Sequence, residues 1–270
     1  MCMMIGRAQV KVTRIFATKH AGKDVLVYEA AIMTPESNAM VLPIPIRAGS
    51  GPIELVDLSA FPQMFAEIAL YYNGPVEPAD AWGRPEAPPQ KLEVFTVGAF
   101  KASIVPSLDQ LGQLDDRFHI QPGFRELLAE RYGDWAFVVY QLAPGNHILH
   151  PFGVAFESRF QEQLFFPTLH VHDGAHAAAK AGFAHSLYAQ GASLEVRQLP
   201  FNDQLPRSPR QSWGDPPPPV MAHPWAPPPP PRPVLPMPEV PGFVDLRRPL
   251  DSMSRFGVHP NTDMYVKLQA

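Results

Sequence analysis

Alternation of apolar and polar positions runs through much of the chain and predicts strands. Over Gln9–Ala17, Val10, Val12 and Phe16 alternate with Lys11 and Thr13, with Arg14 slightly out of phase. Val25–Met33 and Met40–Ile46 are strand-like runs rich in β-branched and aliphatic residues. Pro43 and Pro45 each lack a ladder donor, so Met40–Ile46 is expected at a sheet edge or with a bulge. Val97–Val105, Trp135–Leu142, Phe152–Ser158, Leu164–His172 and Leu194–Leu199 complete a β-rich set. The uncharged stretch Trp135–Phe156 is long enough to span a bilayer, but Gln141, Pro144, Gly145, Asn146, His147, His150 and Pro151 interrupt it. It reads as two strands joined by a turn, with His147 and His150 in the hairpin loop.

Two segments carry helical spacing instead. Ser59 is placed to cap a helix with Phe61, Phe65, Ile68 and Tyr72 on one face. Pro122 suits the first turn of a second, Gly123–Arg131, with Phe124, Leu127 and Leu128 turned inward. The expected fold is therefore α+β and β-rich, with mostly antiparallel sheets and about two helices.

Composition changes this picture at one place. The 270 residues include 34 prolines, and 16 of them fall within Pro206–Pro241. Proline fixes φ and removes the backbone donor, so this stretch is expected to be an extended tether. It separates a β-rich body, residues 1–205, from a C-terminal segment, 242–270. Phe243, Val244, Leu246, Met264, Tyr265, Val266 and Leu268 would let that segment dock back on the body. Pro227, Pro230 and Arg232 match the spacing that SH3-type domains read, which makes a protein partner through the tether one expectation. Charge adds little: 22 basic against 26 acidic residues leave a net −4 and argue against a nucleic-acid or membrane-surface partner. Arg7, Lys11, Arg14 and Lys19 break up any apolar signal core, and a single cysteine excludes an internal disulfide framework. A cytoplasmic protein is expected.

The single cysteine stands at position 2. Removal of Met1 would put a thiol and a free α-amine on one Cα, and an amine of pKa about 8 can serve as the base for its own thiol. An oxyanion donor is also needed, for which Asn38 and Asn73 are the candidates, and Arg14 could position an anionic substrate. On Cys2 and the strand behind it, the chain resembles N-terminal-nucleophile hydrolases with an N-terminal cysteine, such as bile-salt hydrolases and glutamine amidotransferases. Met3 stands where the amidotransferases carry glycine. The resemblance implies amide or acyl hydrolysis at Cys2. The runs Asn38–Pro45, His150–Phe152 and Leu164–Asp173 are similar to a group of uncharacterised bacterial proteins, and no activity travels with that likeness.

Six of the ten histidines lie between His147 and His185. His170 and His172 sit two apart on an expected strand and share a face, with Asp173 and His176 in the following turn. Imidazoles converging with a carboxylate are ligands for Zn²⁺ or Fe²⁺, so His170, His172, Asp173 and His176 form a candidate metal set. The same histidines also suit a hydrogen-bonded core. Three functional expectations follow. The first is a non-catalytic binding or scaffold protein with a proline-rich handle. The alternatives are an N-terminal-cysteine hydrolase and a histidine-cluster metal protein.

Overall fold

The computed structural model describes residues 2–46, 49–73, 102–113, 120–174, 177–191, 240–248 and 250–268. Chain contacts divide the protein into two units, Met1–Arg197 with Pro238–Ala270, and Gln198–Met237. Every described residue belongs to the first. Leu194–Leu199, the match at Pro227–Arg232 and nearly all of Pro206–Pro241 lie outside the described residues, as do Val97–Lys101 and His176.

The chain begins with β1 (Cys2–Met4), β2 (Gln9–His20), β3 (Lys23–Thr34), β4 (Asn38–Ile44) and β5 (Glu54–Val56). Helix α1 (Met64–Asn73), β6 (Ala102–Val105), helix α2 (Pro122–Tyr132), β7 (Ala136–Leu142) and β8 (Gly145–Phe156) follow. The rest is β9 (Gln163–Phe166), β10 (His170–Val171), β11 (Lys180–Gln190), β12 (Leu250–Pro260) and β13 (Met264–Lys267). One sheet has the order β10-β1-β4-β7-β6, a second the order β12-β11-β2-β3-β8-β5, and β13 pairs with β9. The pairings β1–β10 and β11–β2 are parallel and the other described ones antiparallel. The fold is thus β-rich α+β, as the spacing predicts. No helix among the described residues is long and apolar enough to cross a membrane.

The two large sheets share one core. Met3, Met4, Val41, Phe137 and Val139 enter it from one sheet, and Ile15, Leu26, Tyr28, Val154 and Leu187 from the other. On α2, Phe124, Leu128 and Tyr132 join the same core, and Pro122 sits in the first turn, where its missing N–H is no loss. A smaller cluster covers part of the outer face of the six-stranded sheet. There Met64, Phe65 and Ile68 of α1, with Val244 of the returning C-terminal segment, lie on Phe16, Val25 and Val27. Gln190 fastens that segment: its amide donates to the Asp245 carbonyl and accepts from the Asp245 N–H, at 2.9 and 3.0 Å.

Local chemistry sets the connections. The β2–β3 hairpin turns through Ala21 and Gly22, both at positive φ, the backbone that matches strand twist in a two-residue turn. Gly174 also has positive φ, and a Cβ there would stand 1.9 Å from the Ile5 carbonyl oxygen, so no other residue fits beside the end of β1.

Three strand expectations need correction, and one strand pair was not expected. Met40–Ile46 is no edge strand, because β4 lies between β1 and β7. Its prolines are tolerated because β1 reaches only Met40 and Val41; at Pro43 the one described neighbour is β7. His147 and His150 belong to β8 rather than to a hairpin loop, and β7 and β8 join different sheets. Leu164–His172 is two strands, because the chain leaves β9 at Pro167 and re-enters a sheet only at His170. β11 and β12 carry no strong strand signature in sequence and form the longest edge pairing of the fold, from Lys180–Pro260 to Gln190–Leu250.

Candidate functional site

The amino-terminal strand and the histidine cluster meet. β1 runs parallel to β10, with Cys2 the Cα partner of His170 and Met3 that of Val171. On its other side β1 pairs with β4, and Met3 and Met4 are fully buried. The start of the chain is therefore held between two strands, with Cys2 at the level of His170. The Cys2 side chain itself lies outside the described residues.

His170 is 7% exposed, and the C-terminal segment holds its backbone at both ends. Its N–H donates to Asn261 Oδ1 at 2.6 Å, and Asn261 Nδ2 donates to its carbonyl at 2.7 Å. Asp263 fixes the two residues before it: Oδ1 accepts from the N–H groups of Thr168 and Leu169 at 2.8 and 3.0 Å. The other oxygen of Asp263 accepts from the Tyr132 hydroxyl at 2.5 Å, tying α2 to the same point. Burial raises the Asp263 carboxyl above the usual range, and these donors oppose the rise. Thr168 donates from its hydroxyl to the Thr262 carbonyl at 2.6 Å.

The ring of His170 faces β11. Its Nε2 lies 2.9 Å from Nε2 of His185, so one of the two nitrogens donates and the other accepts. His172 and Phe183 lie nearby at tilted angles, with ring centroids 4.9 and 4.4 Å from that of His170. The Arg255 guanidinium on β12 lies 3.9 Å from the Phe183 centroid and donates to Thr168 Oγ1 at 3.2 Å. Burial lowers the pKa of all three imidazoles, that of His170 to about 2, and the positive chain terminus adds to the effect. The nearby Asp173 carboxylate works the other way on His172. The rings are consequently neutral across the physiological range. Nδ1 of His170 and Nε2 of His172 are buried and meet no hydrogen-bond partner among the described residues. A small cleft of about 150 Å³ opens beside His170 and His185, walled by Val12, Thr13 and Phe183.

The other expected site residues are engaged elsewhere. Arg14 is ion-paired with Glu29 of β3. It follows Thr13, the partner of His185, so strand alternation turns it to the opposite face of the sheet. Asn38 is fully buried and accepts from the N–H groups of Gly6 and Ala39 while donating to the Arg7 carbonyl at 2.9 Å. These bonds fasten the chain after β1 and occupy the amide proposed as an oxyanion donor. Asn73 ends α1, and its side chain lies outside the described residues. Among the described residues no group of three or more His, Cys, Asp or Glu side chains is arranged to hold a metal ion. Sequence reasoning missed His185, Asn261 and Asp263 as parts of this site. The apolar positions Phe183, Leu187 and Ala189 around His185 were a weak signal, diluted by Ala181, Gly182 and Ala184; the two C-terminal side chains carried none.

No family model matches the chain. Among solved structures it is similar to a mutated baculovirus P35 after caspase cleavage, with 11% identity, a TM-score of 0.39, and coverage of 96% of this chain and 94% of that one.

Proposed function

We propose that Cys2, made amino-terminal by removal of Met1, is a nucleophile for amide or acyl substrates, with its own α-amine as base and His170 as a positioning residue. The observation that carries this reading is the register of β1 on β10. It pairs the chain's single thiol-bearing residue with His170, whose N–H and carbonyl are both held by Asn261.

The roles divide by basicity. An imidazole whose pKa is lowered to about 2 is a poor proton acceptor in the chemical step, whereas an α-amine of pKa about 8 is suited to it. The amine takes the thiol proton, sulfur adds to the substrate carbonyl, and collapse of the tetrahedral adduct expels an amine or alcohol that takes up that proton. Water then cleaves the thioester and restores Cys2.

Intact-mass measurement before and after brief alkylation near pH 6.5 tests the reading. Met1 is expected to be absent, and the single thiol to alkylate faster than a free N-terminal cysteine peptide. His170→Gln is expected to bring its rate back towards that of the peptide. Retention of Met1, or a wild-type rate no faster than the peptide's, overturns the proposal. A second reading, a binding or scaffold protein, is favoured by a different observation, the bare outer edge and face of β12.

A further inference from the structure

β12 is the outermost strand of the six-stranded sheet, and among the described residues nothing pairs with its outer edge. At eleven residues its backbone runs about 36 Å along that edge. Soluble proteins guard such an edge with charge, proline or a cover. Here the outward-facing positions are Ser252, Ser254, Phe256 and Val258, none of them charged. Phe256 is 59% and Val258 72% exposed, the highest values among the exposed large apolar side chains of the described residues. Their partners on β11 are Ala184 and Gly182, too small to cover them.

We propose that this edge pairs with β12 of a second copy of the chain, antiparallel across a twofold axis, making one continuous sheet from two six-stranded ones. The strand's own chemistry selects that occupant. In an antiparallel self-pairing Phe256 of each copy falls opposite Phe256 or Val258 of the other, and aromatic and β-branched side chains form favourable cross-strand pairs. No charge opposes a like charge on that face, because the face has none. A foreign acidic or basic segment finds no complementary charge there, whereas a copy presents the same uncharged serine and apolar pattern. The twofold arrangement also closes both exposed edges at once, so assembly stops at two. The strand's two charged residues, Asp251 and Arg255, are carried on the inward face and leave the outward pattern intact.

Sedimentation velocity on the full chain from about 1 to about 100 μM tests this. The mass is expected to rise with concentration from 29.9 kDa towards twice that value. The double variant Phe256→Lys, Val258→Lys is expected to remain at the monomer mass over the whole range with an unchanged melting temperature, and Phe256→Leu, Val258→Ile to dimerise like wild type. A wild type that stays monomeric throughout overturns the proposal and leaves a foreign extended segment as the occupant of the edge. A dimer that persists in the lysine variant overturns it as well, by placing the contact elsewhere. Neither outcome touches Cys2, so the nucleophile reading stands or falls separately.

Discussion

The two faces of β12 have opposite fates. Inward, Met253 packs on the core and Arg255 lies over Phe183 while bonding the Thr168 hydroxyl, so this face helps build the surroundings of His170. Outward, Phe256 and Val258 stand in solvent over Ala184 and Gly182. One strand thus carries a face whose side chains are committed by polar geometry and another whose side chains have no described partner. The difference teaches where energy is concentrated: in the buried hydrogen bonds that fix the 168–170 segment, and far less in the large apolar groups next door.

The sharpest way to break that contrast is Asp263→Ala. It leaves the Thr168 and Leu169 N–H groups and the Tyr132 hydroxyl without their acceptor. Three buried donors lost together should lower stability by about 3–5 kcal/mol in denaturant unfolding. Tyr132→Phe removes one of the three bonds and should cost about 1 kcal/mol, which separates the backbone anchor from the helix anchor.

Acid provides the next test. An unfolded histidine binds its proton near pH 6.5, while His170 in the fold does so only at about 2, and His172 and His185 are shifted in the same direction. Between those values the unfolded chain binds more protons, so stability falls as pH drops below about 6.5, by up to about 1.4 kcal/mol per pH unit for His170 alone. The buried carboxyls of Asp24, Glu29 and Asp263 are raised by burial and work oppositely, being protonated in the fold before they are in the unfolded chain. They offset part of the loss only in the acidic range where carboxyls titrate. Melting temperatures measured from pH 7.5 down to 5.5 should decline, and His185→Gln should flatten the decline. A flat wild-type profile would show that these rings are not held neutral.

The smallest effect is expected on the bare face. Phe256→Ser alone should change unfolding free energy by less than about 0.5 kcal/mol under monomeric conditions, since little of its surface is removed from water. A larger loss would mean that the two faces are more alike than their burial indicates.

Much of the architecture was legible from spacing. Val10, Val12 and Phe16 mark β2, and Pro122 before Phe124 and Leu128 marks α2, because a strand or helix writes its periodicity into neighbouring residues. Pro43 pointed to a sheet edge or a bulge, whereas β4 lies between β1 and β7. The sequence did not show that β1 is too short to reach it, so that an interior strand tolerates it. β11 was obscured because Gly182, Ala181 and Ala184 dilute its alternation, and β12 because its outward face is apolar where solvent is expected.

The candidate site divides in the same way. That Cys2 is the chain's single thiol and that histidines crowd the region before His185 are facts of the sequence alone. That Cys2 pairs with His170, that His185 meets the His170 ring, and that Asn261 and Asp263 anchor the segment were decided only by the tertiary structure. Local periodicity reports which face a residue takes within its own element. Strand order and register arise from contacts between segments far apart in the chain, and no local pattern carries them.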